Sequence, residues 1–242
     1  MEKSEKNKLP LISIITVTYN AEKTLDYTIQ SVINQNYSNL EYIIIDGGST
    51  DNTLEIIRKY DKHISYWKSE PDKGIYDAMN KGIDAANGDW VIFLGAGDLL
   101  LNVLHHVKKE LTCNRTIYYG NVYRIDTNEI YGGKFSPFRL AVKNICHQAI
   151  FYPLSVLRKY KYNTAYKSLA DHHLNMVCFG DKNYQFRYIP ILISIYEGNG
   201  FSVENSIDED FFADKIKIVK ENFPFFVFYY AALRRKLAKL FK

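Results

Sequence analysis

The sequence predicts an α/β protein, with a mostly parallel central sheet flanked by helices and a C-terminal helical extension. Three observations carry this expectation. Unbroken apolar runs in LISIITVTY, EYIIID and WVIFLG have the length and Ile/Val content of strands buried on both faces. Stretches of helical period separate them, at the spacing of right-handed βαβ units. Gly-rich turns then follow two of the runs, in IIIDGGSTDNT and WVIFLGAGDLL, and each turn carries an acid, Asp46 or Asp98. Ligands of open α/β sheets gather at the carboxyl ends of the strands, so these two acids mark the expected site.

Taken in order, residues 9–18 form the first strand and about 22–35 the first helix, with Asn20 as its cap. The second strand covers 40–45, and Ser49 or Thr50 caps the helix carrying Leu54, Ile56 and Ile57. A strand at 64–69 precedes a helix from Ile75 to Ala86, which stops at Asn87-Gly88, and the next strand is 90–94. Beyond Leu101 the alternation loosens into a helix at about 101–111 and strands near 116–123, 129–135 and 145–151. A helix after Pro153, another at 169–179 and a strand at 184–196 follow. A helix near 208–221 and an aromatic–basic helix from about 223 close the chain. The expected division is a domain at 9–205 and an extension at 206–242; within the domain, 9–100 with its two acid-bearing turns is the nucleotide-binding candidate, and 101–205 is a second half of mixed elements suited to a second ligand.

Hydrophobic residues make up 47% of the 242, enough for a large core and against disorder overall. Net charge is +4, but residues 222–242 hold five cations and no acid, which leaves the body at −1. A neutral body argues against nucleic-acid binding, which needs a basic face on the fold. Cys113, Cys146 and Cys178 are too scattered for a disulfide framework or a zinc site. With a charged N-terminal segment that lacks a cleavage pattern, they point to a cytoplasmic protein. Neither GxSxG nor GxxxxGK[ST] occurs, which removes nucleophile-elbow hydrolases and phosphate-loop ATPases. The eleven-residue apolar run FPFFVFYYAAL is too short to span a hydrocarbon core, which takes ~20 residues. Followed by Arg234, Arg235, Lys236, Lys239 and Lys242, it predicts peripheral attachment of 223–242 to an anionic inner membrane surface. Packing on the domain or on a second subunit, as in a homodimer, is the rival reading.

SIITVTYNAEKTLDYTIQSVINQNY, EYIIIDGGSTDNT, SEPDKGIYDAMNKGI, GDWVIFLGAGDLL, HQAIFY and LADHHLNM stand in the order seen in family 2 glycosyltransferases. Over about residues 9–205 the chain resembles that family's bacterial surface-polysaccharide type. The resemblance implies a GT-A-like fold, a UDP-sugar donor and a divalent metal, Mn²⁺ or Mg²⁺. It further implies inverting transfer of a hexose or N-acetylhexosamine to a lipid-linked glycan. Carried over residue by residue, Val17, Thr18, Asp46, Asp72 and Asn80 bind the donor nucleotide, Asp98 holds the metal and Asp171 is the general base. Asp77, Lys81, His147, Gln148 and His172 flank the site, with Lys81 substituting for the Arg that relatives carry where this chain has Met79. Asp46 has a rival role as a turn acid capping the next helix, and Asp171 as a cap of its own helix. Gly47, Gly95 and Gly97 stand where relatives have acids, which predicts weaker metal affinity. Those glycines keep open a non-catalytic nucleotide- or lipid-binding module; a sugar-1-phosphate nucleotidyltransferase, which uses a related α/β sheet, is the other alternative, although TVTYNAEKT stands where such enzymes carry a Gly-rich basic loop.

Overall fold

The computed structural model describes residues 9–198 and 208–240. In the first half, β1 (Ile12–Thr18), β2 (Leu40–Asp46), β3 (Tyr66–Ser69) and β4 (Trp90–Gly95) run parallel in the order β3-β2-β1-β4. The crossovers are α1 (Leu25–Ile33), α2 (Thr53–Lys59) and α3 (Ile75–Ala85). Side chains alternate between faces along each strand. Ile12 and Ile14 join Leu25 and Ile29 of α1 in one core layer, while Ile15 and Val17 join Met79 and Ile83 of α3 in the other. Two buried faces explain why the strands read as continuous apolar runs. Thr18 pairs with Asp46 and Val17 with Gly95, so β1, β2 and β4 end level and their loops share one rim. A Cβ on Gly82 would fall 2.5 Å from Ile15 Cγ2, so the bare glycine lets α3 lie directly on β1. That close approach sets the depth of Tyr76 in the first turn of α3.

The second half reverses direction. After β5 (Leu99–Leu100) and α4 (Leu104–Val107) come β6 (Thr116–Arg124), β7 (Glu129–Tyr131) and α5 (Pro137–Val142). A 3-10 turn at His147–Ala149 leads into β8 (Ile150–Pro153), α6 (Leu154–Tyr160), α7 (Ala170–Gly180) and β9 (Gln185–Tyr196). β8 continues the sheet antiparallel to β4 and β6, β9 lies parallel to β6, and β5 closes the far edge antiparallel to β9. β7 forms a hairpin with β6. Only three residues separate β4 from β5, yet the two strands stand apart in the sheet order. At ~3.5 Å per residue so short a link cannot cross a flat sheet, and the sheet therefore curls until the ends of β4 and β9 approach. Asp98 sits on that link.

α4 is much shorter than the helix expected at 101–111: Tyr118 Oη accepts from the N–H groups of Thr112 and Cys113 at 3.3 and 3.2 Å and turns the chain into β6. The sequence reading missed α5, although its start is well marked: Ser136 Oγ accepts from Arg139 N at 3.2 Å and Pro137 occupies the first turn. The expected caps are also corrected. Thr24 and Asn52 occupy the cap positions of α1 and α2, neither through a side-chain bond to the helix it starts. Asn20 instead accepts from Thr50 N at 2.9 Å, and its own N–H donates to Ser49 Oγ at 2.8 Å, which laces the β1 and β2 loops together.

The chain continues into α8 (Glu209–Asn222) and α9 (Phe225–Leu240). Phe211, Ile218 and Val219 of α8, with Val227 and Ala231 of α9, belong to the same apolar cluster as Leu174 and Cys178 of α7. Asp208 caps α8 through Phe211 N at 3.2 Å and also accepts from Ser168 and Leu169 N–H, fixing the entry to α7. The expected boundary at 205–206 and the N-terminal segment before Leu9 lie outside the described residues.

Candidate active site

Three loops meet at the carboxyl rim of the sheet. In the first, Asp46 is fully buried and accepts four bonds: Gly48 N at 3.0 Å, Ser49 N at 2.9 Å, Ser49 Oγ at 2.5 Å and Ser69 Oγ at 2.6 Å. Its carboxylate thus shapes the turn, while the cap position of α2 belongs to Asn52. The acid that faces outward there is Asp72. A Cβ on Gly47 would fall 2.5 Å from Asp72 Oδ2, so Asp72 fills the place a second acid in the turn would take. Its other oxygen accepts from Gly74 N at 2.8 Å. Tyr19, 63% exposed, borders the same glycine, and the sequence reading did not single it out. Thr18 Oγ1 is buried with no hydrogen-bond partner among the described residues, whereas the Val17 side chain belongs to the core.

Along α3 the assigned residues diverge. Asn80 is occupied at both ends by the Tyr162 main chain, Nδ2 to O and N to Oδ1, each at 2.9 Å. It pins the 161–163 segment to α3. Lys81 pairs with Glu70 at 3.1 Å and Asp77 at 3.4 Å and donates to Pro71 O, bracing the loop that bears Asp72. Asp77 also accepts from Lys73 N at 3.1 Å. Tyr76 turns inward, and its hydroxyl donates to Asp171 Oδ1 at 3.1 Å.

Asp171 is 7% exposed and lies in the first turn of α7. Leu169 is the cap residue of that helix, so the capping role does not apply. Besides Tyr76, Asn144 Nδ2 donates to Oδ2 at 2.7 Å, and His147 Nδ1 lies 3.5 Å from the same oxygen. Asn144 is itself oriented by Asn175, whose Nδ2 donates to Asn144 Oδ1 at 2.8 Å. His172 does not orient the acid through its ring. Its Nε2 lies 2.7 Å from Leu140 O, and burial pushes its pKa down to about 4; only its backbone N–H reaches Asp171, at 2.8 Å.

At the third loop Asp98, 5% exposed, accepts from Gly95 N and Gln148 Nε2, both at 3.0 Å, through Oδ2. Oδ1 has one long bond, from Glu197 N at 3.3 Å. Burial raises the pKa of Asp98, and Gln148 and the nearby His147 oppose that shift. Gly97 has φ +115°, a conformation that favours glycine, and a Cβ there would fall 2.0 Å from Glu197 Oε2. Glu197, just beyond β9, therefore brings a second carboxylate to the turn that lacks its own acids. No motif marked it, because it meets Asp98 only when the sheet curls.

His147 and Gln148 join the two acidic centres, one side chain on Asp171 and its neighbour on Asp98. Both acids also bear on the Cys146 thiol, which burial foremost pushes up to about 12. Among the described residues no three His, Cys, Asp or Glu side chains form a metal cage. The pair Asp98 and Glu197 nonetheless fits Mg²⁺ or Mn²⁺, since such ions at phosphate sites take one or two carboxylates and leave the rest to phosphate and water.

The profile described as Glycosyl transferase family 2 matches residues 13–165. A PGL/p-HBAD biosynthesis glycosyltransferase from Mycobacterium bovis is 35% identical over 211 residues, which cover 84% of this chain and 82% of that protein. An uncharacterized glycosyltransferase from Haemophilus influenzae is 42% identical over 97 residues, 39% of each chain. Among solved structures, S. aureus TarS 1-349 in complex with UDP-GlcNAc has a TM-score of 0.70 at 17% identity, covering 86% of this chain and 65% of that one. The mannosyltransferase PcManGT from Pyrobaculum calidifontis, in complex with GDP-Man and Mn²⁺, has a TM-score of 0.64 at 16% identity, covering 82% and 60%. The present chain thus spans less than two thirds of either solved chain, and the likeness to them is one of fold, the GT-A type with its curled mixed sheet. The matched profile, the length of the mycobacterial alignment and the motif order agree: the chain belongs to glycosyl transferase family 2.

Proposed function

We propose that this glycosyltransferase moves a hexose or N-acetylhexosamine from a UDP-sugar to a lipid-linked glycan with inversion, using Asp171 as the base. The observation that carries the reading is the His147–Gln148 bridge, which sets the acid of α7 and the acid of the β4–β5 turn on one continuous site. Asp72, Tyr19 and the unpartnered Thr18 hydroxyl offer a carboxylate, a ring face and a hydroxyl to a nucleoside. Asp46 serves the nucleoside through the turn it shapes. Asp98 and Glu197 would hold the cation, which when bound neutralises charge on the departing diphosphate.

Asp171 takes the proton of the acceptor hydroxyl at a carboxylate oxygen as that hydroxyl's oxygen bonds to the anomeric carbon. The bond from that carbon to the UDP oxygen breaks on the opposite face, and the electron pair leaves with UDP. No covalent enzyme intermediate forms. Tyr76 and Asn144 hold the carboxylate in place, and both can keep their bonds after it is protonated.

A panel of UDP- and GDP-sugars, with and without Mn²⁺ and a lipid-linked saccharide, tests the reading. Nucleotide release from one UDP-sugar, stimulated by the ion and raised by the acceptor, is the expected result. Pyrophosphate release would instead identify a nucleotidyltransferase. GDP-sugar use alone would overturn the donor.

The second part of the proposal is attachment to the cytoplasmic face of an anionic membrane. No helix among the described residues is long and apolar enough to cross one. α9 packs Val227 and Ala231 inward, while Phe225, Phe226, Tyr229, Leu233 and Leu237 face outward, Phe225 being 74% exposed. Lys215 of α8 reaches α5, donating from Nζ to Val142 O at 3.3 Å. Burial lowers its pKa to about 8, and Arg234 and Arg235 add to the shift. Aromatics at headgroup depth with cations beside them suit an interfacial helix. Deleting 223–242 would strip the core of Phe223, Val227 and Ala231, so point changes make the better test. At ~1 kcal/mol per cation, Arg234→Gln with Lys236→Gln weakens binding to anionic vesicles by roughly 30-fold at low salt, as an upper limit. Unchanged vesicle binding, with concentration-dependent dimers in sedimentation, would assign this face to a second copy.

A further inference from the structure

Between Glu129 and Asp171 the chain holds no acid, yet Lys134, Arg139 and Lys143 lie on the segment leading from β7 to the base. Arg139 is distinctive among them. Its guanidinium lies 4.0 Å from the Phe135 ring centre and 5.8 Å from that of Tyr131. One N–H donates to Lys134 O at 3.4 Å, and no carboxylate pairs with it among the described residues. Arg124, the other guanidinium over Tyr131, is instead gripped by Asp126 through two bonds, at 3.1 and 2.6 Å. A guanidinium resting against aromatic rings with no carboxylate partner among the described residues is suited to phosphate or carboxylate.

Its position says which anion. On one side Tyr131 Oη donates to Asn144 O at 2.6 Å, and Asn144 Nδ2 donates to the base at 2.7 Å. On the other, the adjacent Phe138 packs its ring against Phe226 and Tyr230 of α9, at 5.8 and 5.2 Å between ring centres. A chain of contacts therefore runs from the aromatics of α9 through Phe138 and Arg139 of α5 to Tyr131, Asn144 and the general base. A lipid-linked sugar presents the same order of apolar chain, linking group and hydroxyl.

We propose that Arg139 binds the phosphate joining the acceptor's first sugar to its lipid, with the lipid toward Phe138 and α9 and the accepting hydroxyl at Asp171. This rests on the lipid-linked acceptor proposed above and narrows it to a lipid phosphate. A neutral glycolipid would give Arg139 nothing to read.

Calorimetric titration of the full chain with farnesyl phosphate, farnesol and inorganic phosphate, in zwitterionic micelles, tests it. Farnesyl phosphate is expected to bind at least ~10-fold more tightly than either control. Arg139→Gln abolishes that preference, while Arg234→Gln with Lys236→Gln retains it; melting temperature and UDP binding of the Arg139 variant check its fold. Equal binding of farnesol and farnesyl phosphate, or an unaffected Arg139→Gln, overturns the proposal. Equal binding of inorganic phosphate, or the same loss in the α9 variant, overturns it as well. The titration uses no donor sugar, so it stands apart from the transfer assay: lack of transfer refutes the enzymatic reading, and lack of phosphate preference refutes this one. With a saccharide on a lipid phosphate, Arg139→Gln also raises KM by ~10-fold with little change in kcat, and leaves KM for the same saccharide on a neutral lipid unmoved.

Discussion

Asp171→Asn lowers kcat by ~10³, within the ~10²–10⁴ that a positioned general base contributes. UDP and Mn²⁺ binding stay at their wild-type values, because the donor loops reach Asp171 only through side chains that the amide can still engage. The introduced amide keeps its oxygen toward Asn144 and His147 and turns its N–H₂ group to Tyr76 Oη, which can accept; only the His172 N–H loses its acceptor, a loss read as a lower melting temperature, while the proton acceptor is removed. Pre-steady-state measurement on saturated enzyme isolates the chemical step. Near-normal turnover by this variant would remove Asp171 from the mechanism and leave its buried, hydrogen-bonded carboxylate as a link between α3 and α7.

Asp98→Asn and Glu197→Gln both weaken Mn²⁺ binding in the presence of UDP, read by electron paramagnetic resonance of the free ion. Loss of Asp98 is expected to have the larger effect, and loss of Glu197 to cost ~10-fold, comparable to removing a supporting group around a metal. Turnover of the Asp98 variant falls by ~10²–10³, as several kcal/mol of charge stabilisation at the leaving diphosphate disappear. The amide keeps the Gln148 contact, so the loss reads charge more than shape. Unchanged Mn²⁺ affinity in both variants would separate this corner from cation binding. A loss in Asp98→Asn alone would leave Glu197 as a neighbour whose carboxylate serves Gly97's turn only.

The three glycines that stand where relatives carry acids read differently once folded. Space at Gly47 is taken by the Asp72 carboxylate, and space at Gly97 by that of Glu197. Gly95 is closely approached by Asp98 itself, with Oδ2 3.0 Å from where a Cβ would stand. Fewer acids in the motif thus do not mean fewer carboxylates at the rim. A stretch of sequence cannot convey this, because the compensating residues lie on other loops.

Local chemistry settled much of this protein in advance. Apolar runs, helical period and stop signals placed β1 to β4 and α1 to α3 within a few residues, since each depends on neighbours in the chain. The same logic put Asp46 and Asp98 at strand ends and Asp171 at the start of α7. Long-range contact decided the remainder. Asn20, Ser49 and Thr50 have the chemistry of caps, but two loops side by side used them on each other. Asn80 sits on the correct helix, yet the main chain of Tyr162 claims both ends of its amide. Tyr76 lies 95 residues from the acid it orients, and Glu197 lies 99 from Asp98, because hydrogen bonds and charge act over ångströms, whatever the separation along the chain.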